Sequence, residues 1–559
     1  MKVDRIIKNA KIFTSNEDAL QASALAVKDG KFVYVGDEAG LKDFEGEVTD
    51  LSGKFIMPAI IDSHVHITTG VAFEYVDLGV YIPCSSKREA LDFMADHISQ
   101  NPDLDPYRFM LPRACLNGEE LTKEDLDSIC PDKGLVILEG ECHSAWVNSG
   151  MLARHGITDD TPDPVPGLSY YVRKDGHMTG YAVESASWPF LFGELRKSLT
   201  DEQIGVALTP WINFCKEYGV CAVFDAGFPE HNDIHEKIYT YLREMDKQGK
   251  LPVYVDGCYM LTDPRKVKEA LEETKRFQRE FNTEHLKVHT FKILMDGTLK
   301  IETAAMVTPY ADTGAVGATT LNAKEVAELL TALNEAGLDF HAHTVGERSA
   351  RVVLDGVELA RKELGDRFRV KVTCTHLWVQ DEEDISRFAE LGVIANYTPA
   401  WHAGNMGLGC EPADFWPSVI GEERALKMYR SKSVWDTGAL VTWSSDDVGF
   451  WDEFATWNPY SGMEIGMTRR ISEKTLWPED ETTAKPLAPA SEQMNIEEMI
   501  LGYTINGAKQ LGIEEAKGSI EVGKDADFLV FENDLLTAEH EGFSCNRPTE
   551  VYFCGEKMK

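Results

Sequence analysis

The chain has 559 residues, with 93 acidic side chains against 56 basic ones and a formal charge of −37. With 43% hydrophobic and 27% charged residues it has the make-up of a folded enzyme, which excludes disorder over most of its length. Its acidity repels nucleic acid and anionic membrane, and its length exceeds what one hydrophobic core usually serves.

The N-terminal Met1-Lys2-Val3-Asp4-Arg5 has no apolar signal core, and no apolar run reaches the ~18 residues that would span a bilayer. The 11 cysteines are scattered, without a Cys-x-x-Cys pair, and read as reduced thiols of a cytoplasmic protein. Short strands are expected over Ile6–Phe13, Ala22–Lys28 and Phe32–Val35, the last two joined by the hairpin dipeptide Asp29-Gly30. The C-terminal end has the same character, with apolar runs over Ala526–Phe531 and Val551–Phe553. Two β-rich ends around a different middle point to one small sheet domain, a β-sandwich made of residues 1–57 and 515–559.

Between them, over 58–514, strands and helices alternate. Strands are expected at Ala59–His66, Gly219–Asp225, Pro252–Cys258, Lys287–Met295, Leu338–His343, Arg369–His376, Gly392–Tyr397 and Leu440–Asp446. One helix starts at Asn322 with Glu325 three residues on, places Val326, Leu329, Leu330 and Leu333 on one face, and stops at Gly337. A second runs from Asp381 through Ile385, Phe388 and Leu391 to Gly392. Eight strands with helical crossovers are the pattern of a (β/α)₈ TIM-like barrel, an α/β fold. The 70–215 gap after the first strand is too long for a crossover and holds an insertion, with strands expected at Arg108–Cys115 and Leu135–Glu141. Residues 452–490 form a long irregular stretch of the kind that serves as a lid or binding loop.

In such a barrel the chemistry gathers at the C-terminal ends of the strands. The first strand ends in Asp62-Ser63-His64-Val65-His66, whose two imidazoles lie two apart on one face and can grip one metal ion; two buried structural histidines are the plainer alternative. Lys292 lies among apolar residues of the fourth strand, where a cation needs a partner or chemical alteration. Carboxylation of its amine would give a carbamate able to bridge two metals; an ion-paired lysine is the alternative. The fifth strand ends in His341-Ala342-His343, the sixth in Thr375-His376, and the eighth in Ser444-Ser445-Asp446-Asp447. Neutral imidazoles and carboxylates on selected strand ends suit a borderline divalent cation.

These motifs resemble the amidohydrolase superfamily, in particular the amidohydrolase family 3 or YtcJ-like branch that includes N-substituted formamide deformylases. Ile56-Met57-Pro58-Ala59-Ile60-Ile61-Asp62-Ser63-His64-Val65-His66 is similar to its first-strand signature. Tyr503-Thr504-Ile505-Asn506-Gly507-Ala508 and the Gly518–Asp527 segment match its return to the sheet domain, and His143–Ser149, Asp296-Gly297 and His343–Arg348 match the branch. The resemblance implies a metal-dependent hydrolase of non-peptide C–N bonds, such as an amide, formamide or cyclic amide. Its metal ligands would be His64, His66, His343, His376 and Asp446, with Lys292 at the bridging-carbamate position. It further implies one or two divalent ions, zinc foremost, with Asp446 as acid–base and His343 or His376 assisting. The insertion's His143, Trp146, Asn148 and Glu184, together with Trp401, would contact substrate. Trp378 and His402 are further candidates to line the pocket, while Arg469 and Arg470 read more as offsets to local acidity than as an anion site. Ala59, Glu347, Thr375 and Ser444 depart from the usual Gly, Asp, Glu and Gly. The alternatives are deamination, ester hydrolysis or isomerisation on the same metal barrel, or a catalytically silent scaffold. The expected partner is a small-molecule substrate, with a homodimer allowed.

Overall fold

The computed structural model describes the whole chain except residues 77, 117, 140–142, 193–198, 229–232, 404–414, 448–457 and 471–485. Its centre is an eight-stranded parallel sheet, β1 (Ile60–Val65), β2 (Val220–Asp225), β3 (Tyr254–Leu261), β4 (Leu286–Leu294), β5 (Asp339–Thr344), β6 (Val372–His376), β7 (Ile394–Tyr397) and β8 (Val441–Trp443), each paired with the next in sequence. All eight expected strands are present within a few residues of their expected ends. Their apolar runs are nearly continuous because helices cover the outer face, so both faces exclude water. The seam between the first and last strands closes just past β8: Asp446 N donates to His64 O at 2.8 Å and His66 N to Asp447 O at 2.8 Å. The α/β, TIM-like barrel is therefore what the chain forms.

The crossover helices include α1 (Asp201–Tyr218), α2 (Asp233–Lys247), α3 (Val267–Phe281), α4 (Ala323–Ala336) and α5 (Glu347–Leu364). Helix α4 begins and ends where its sequence says. Asn322 Oδ1 accepts from Lys324 N and Glu325 N, Glu325 Oε2 accepts from Asn322 N, and Gly337 takes the left-handed conformation at φ 67°. The helix expected from Asp381 to Gly392 is instead a 3₁₀ turn, Glu382–Asp384, followed by the short helix α6 (Arg387–Leu391). The expected irregular stretch over 452–490 contains a fully buried helix, α7 (Pro459–Thr468), begun by the Asn458 cap and Pro459; the rest of it lies largely outside the described residues.

Both chain ends share one six-stranded sheet, in which Phe528–Phe531 pairs with Phe55–Pro58 on one side and Glu550–Phe553 on the other. A four-stranded sheet of N-terminal strands accompanies it. The single strand expected at Ile6–Phe13 is two, Lys2–Lys8 and Lys11–Phe13, because Asn9 turns at φ 52° and sends the halves into different sheets. The Asp29-Gly30 hairpin has positive φ at both positions, as its turn chemistry requires. The insertion after β1 carries a six-stranded sheet whose middle strands, His177–Val183, Ser144–Val147 and Leu135–Leu138, run antiparallel. Its expected strands at Arg108–Cys115 and Leu135–Glu141 are shorter, at Tyr107–Met110 and Leu135–Leu138, and residues 140 and 141 lie outside the described ones.

Candidate active site

Strand register builds the site in layers. Lys292 on β4 stands beside His341 on β5, and one pleat further on His343 stands beside Thr375 on β6. Parallel pairing thus turns the His-x-His pattern of β5 into two levels, His341 below and His343 above. On β1, His64 Nδ1 lies 2.8 Å from His341 Nε2 and 3.3 Å from Thr375 Oγ1, while its Nε2 lies 3.2 Å from Lys292 Nζ. Phe224 of β2 stacks on His341 with centroids 4.5 Å apart, giving the cluster an apolar floor.

The turn after β8 brings in the carboxylate. Asp446 Oδ1 is 3.1 Å from His64 Nε2 and 3.5 Å from His66 Nε2, and Oδ2 is 3.8 Å from His376 Nδ1. Asp446 itself has φ 52°, and His376 and the following Leu377 have φ 79° and 48°. Side chains with a Cβ enter that region at a cost of about 1–3 kcal/mol each, so two of the converging groups are held in strained backbone, a mark of functional sites. Asp62 helps hold the turn: its carboxylate accepts from Ser445 N at 3.0 Å and Ser445 Oγ at 2.6 Å. The aspartate two residues before the first histidine therefore clamps β1 to the aspartate-bearing loop.

Electrostatics divides these groups into a neutral set and a charged set. Burial pushes His64, His341 and His376 well below the usual imidazole range, and burial with the nearby Lys292 cation holds His343 down to about 3. Burial also lowers the Lys292 amine to about 8 against the pull of Cys258, Asp446 and Asp225. Burial works against the Asp446 carboxylate, yet His376, His66 and Lys292 outweigh it and keep it down to about 2. The result is neutral imidazole nitrogens and an ionised carboxylate, the protonation states that ligate a divalent cation. His64, His66 and Asp446 offer ligand atoms within 4.8 Å of one another. Among the described residues, Asp446 Oδ1 and His376 Nδ1 are buried without a hydrogen-bond partner, so the donor set fits a cation and is incomplete without one.

His343 and His376 face each other with ring centroids 4.4 Å apart, and Trp401 stacks on His376 at 5.4 Å. Trp401, placed after β7, is thus beside the cluster. Trp378 is buried and packs edge-on against Trp401 and Trp416. His402 is fully buried beneath Tyr429, so it lies in the packing behind the site and does not line its opening. From the insertion, His143 comes within 6.5 Å of His343, centroid to centroid, and its Nδ1 lies 2.6 Å from Glu184 Oε2.

Trp146 and Asn148 are not where the resemblance implies. Trp146 is buried against Tyr181 in the insertion's own core. Asn148 caps the helix Ser149–Arg154 and uses all four of its hydrogen bonds on protein: Oδ1 accepts from Leu135 N and Met151 N, and Nδ2 donates to Cys130 O and Lys133 O. Asn148 therefore has no donor or acceptor left to offer a substrate. Arg469 is buried and spends its guanidinium on the carbonyls of Leu487, Tyr429 and Met428, tying three loop segments together; Arg470 pairs with Glu541. Glu347 stands at the start of α5, its Oε1 3.4 Å from Thr308 N and 3.6 Å from Arg424, and so acts on loop packing.

His341 is the residue sequence reading passed over, although its spacing to His343 repeats that of His64 and His66. Asp296, which the sequence offered only as part of the Asp296-Gly297 motif, has a structural role. Its buried carboxyl accepts from Ala305 N, Val345 N and Gly346 N, which fastens the loop after β4 to the chain just past His343. Burial pushes it up to about 7 in spite of those donors.

Known proteins resemble this chain over most of its length. The amidohydrolase family model matches residues 47–556. The N-substituted formamide deformylase of Arthrobacter pascens is 26% identical over 556 residues, covering 95% of this chain and 94% of that protein. The exoenzymes regulatory protein AepA of Pectobacterium carotovorum subsp. carotovorum is 27% identical over 407 residues, covering 71% of this chain and 85% of its own. An uncharacterized metal-dependent hydrolase from Pyrococcus furiosus superposes with a TM-score of 0.63 at 22% identity, covering 95% of this chain and all of that one. With a model spanning nine-tenths of its length and the histidine cluster at the expected strand ends, the chain belongs to the amidohydrolase family.

Proposed function

We propose that the protein is a metal-dependent hydrolase that cleaves a non-peptide C–N bond of a small amide, with formamides foremost. One observation carries this reading. His64, His66, His343, His376, Lys292 and Asp446, brought from β1, β4, β5, β6 and the turn after β8, converge on one cluster, in which burial keeps the His64, His343 and His376 imidazoles neutral while Asp446 stays ionised. His64, His66 and Asp446 would hold a first divalent cation, zinc by ligand type, His343 and His376 would hold a second, and Lys292, if carboxylated, would add an anionic oxygen ligand. Such a cation supplies Lewis acidity, which polarises a carbonyl oxygen and acidifies a water.

The chain's own residues do the rest. Asp446, ionised at neutral pH and fixed by its strained backbone, accepts the proton of the attacking water. The same carboxyl then stands where it can return a proton to the departing nitrogen. His341 and Thr375 fix the tautomer and tilt of His64 through its Nδ1, and Gly227 O does the same for His66 Nδ1 at 3.1 Å. Trp401, stacked on His376, and His143 of the insertion, 6.5 Å from His343 between ring centroids, flank the cluster. The described cysteines are free thiols, which supports work in a reducing, cytoplasmic setting.

The test is a zinc-loaded preparation assayed against N-substituted formamides, anilides, cyclic imides and esters. The expected result is amine release from the formamides, abolished by chelator and restored by zinc. Turnover confined to esters, or turnover indifferent to chelator, overturns the proposal.

A further inference from the structure

The insertion reaches the barrel through Glu184, and its geometry is unusual for a solvated carboxylate. Glu184 is 4% exposed, although it lies in the 3₁₀ turn Glu184–Ala186 that follows the strand His177–Val183 of the insertion. Its backbone turns at φ 54°, and its N donates to His143 O at 2.6 Å. One carboxylate oxygen, Oε2, holds His143 Nδ1 at 2.6 Å. The other, Oε1, accepts from Thr303 Oγ1 at 2.6 Å and Thr298 N at 3.3 Å, both on the loop that follows β4 and Asp296. That loop has no room for any other residue at Gly297: a Cβ there would stand 2.1 Å from Glu184 Oε1 and 2.1 Å from Thr303 Oγ1. Gly297 O in turn lies 3.3 Å from His343 Nε2. Glu184 therefore joins the insertion, the loop after β4 and the His343 side of the site, and it fixes the ring that faces His343 across the mouth.

A carboxylate placed only to stabilise the insertion would be cheaper at the surface, since burial of a charge and a left-handed backbone both cost free energy. With a carboxylate at 2.6 Å, Nδ1 carries the proton, so the His143 ring is held in one tautomer and one orientation. We propose that Glu184 is a positioning residue: docked on Thr298 and Thr303, it holds His143 over the strand-end cluster as a contact for the substrate bound there. This rests on the hydrolytic reading above and deepens it, because it assigns substrate alignment to the insertion and proton transfer to Asp446.

The experiment is a double-mutant cycle of Glu184→Gln and His143→Ala on the zinc-loaded full chain, read as kcat and KM separately on the formamide giving the fastest turnover, with thermal melting and zinc content alongside. Losing a charge-assisted hydrogen bond of this kind lowers kcat/KM about ten- to hundredfold in each single variant. The double variant is expected to be no worse than His143→Ala, because Glu184 acts through that ring. Zinc content and melting temperature stay near wild type. Thr303→Ser retains activity and Thr303→Val loses it in step with Glu184→Gln. Additive losses in the cycle, or a Glu184→Gln enzyme with wild-type kcat and KM, overturn the proposal. If the wild type turns over none of the panel, the hydrolytic reading fails by itself. The same cycle is then run on binding of acetohydroxamate, a chelating acyl mimic, where coupled losses support the positioning role and independent or absent losses overturn it.

Discussion

Histidines stand at both ends of the barrel strands, a single one at the N-terminal end and a cluster at the C-terminal end, and they differ in what faces them. At the N-terminal end, His289 on β4 lies 3.0 Å from Asp256 on β3 and 3.6 Å from Asp339 on β5. Burial works against its proton, but the two carboxylates outweigh it and hold it up to about 9. At the C-terminal end, His64, His341, His343 and His376 face one another, Lys292 and a single carboxylate, and burial strips them of their protons. Desolvation opposes the charged imidazole at both ends, so desolvation alone does not make the site. The lower site supplies its own counter-charges, with one imidazole between two carboxylates. The upper one presents several lone pairs and one anion with orphaned atoms, and a cation completes it.

Substitutions separate the two ends. Asp446→Asn is expected to lower kcat/KM about 10²–10⁴-fold while leaving the fold intact, since it removes the proton acceptor; turnover at wild-type level would reverse the assignment. At the other end Asp256→Asn removes one partner of a buried pair and is expected to cost about 3–5 kcal/mol of stability by denaturant titration, with kcat unchanged in the protein that remains folded. His341→Phe keeps the apolar floor but removes the partner of His64 Nδ1. It is expected to weaken zinc binding about 10- to 100-fold in competition with a chromophoric chelator. If zinc affinity is unchanged, the two-level arrangement of β5 has no bearing on the site.

A pH dependence tests the lower end further. His289 has its folded pKa raised above the unfolded value near 6.5, so its stabilising contribution is fully present below about pH 6.5 and fades as pH rises through about 9. The stability difference between wild type and His289→Asn should therefore shrink across that window. A difference that grows with pH would contradict the charged triad.

Much of this was legible in the sequence because it is local or periodic. The eight strands announce themselves by apolar runs between helical stretches, and the α4 capping box and Gly337 mark both ends of that helix. His64, His66, His343, His376 and Asp446 stand at strand ends, where barrel topology brings distant residues together. Trp146 and Asn148 could not be assigned in this way, because an aromatic in a strand and an asparagine before a helix serve a core and a cap as readily as a pocket. The Asn9 turn was hidden in an apolar run that reads as one strand. The docking of Glu184 on Thr303 was beyond reach, since it depends on how the insertion folds back over a loop 119 residues further along the chain.

The central claim is that the upper cluster holds a divalent cation. Elemental analysis of the purified protein after zinc loading and exhaustive dialysis, compared with a His64→Asn and His66→Asn double variant, tests it most directly. The account predicts at least about one zinc per chain in the wild type and a marked loss in the folded double variant. A folded wild type that retains no more zinc than that variant contradicts it.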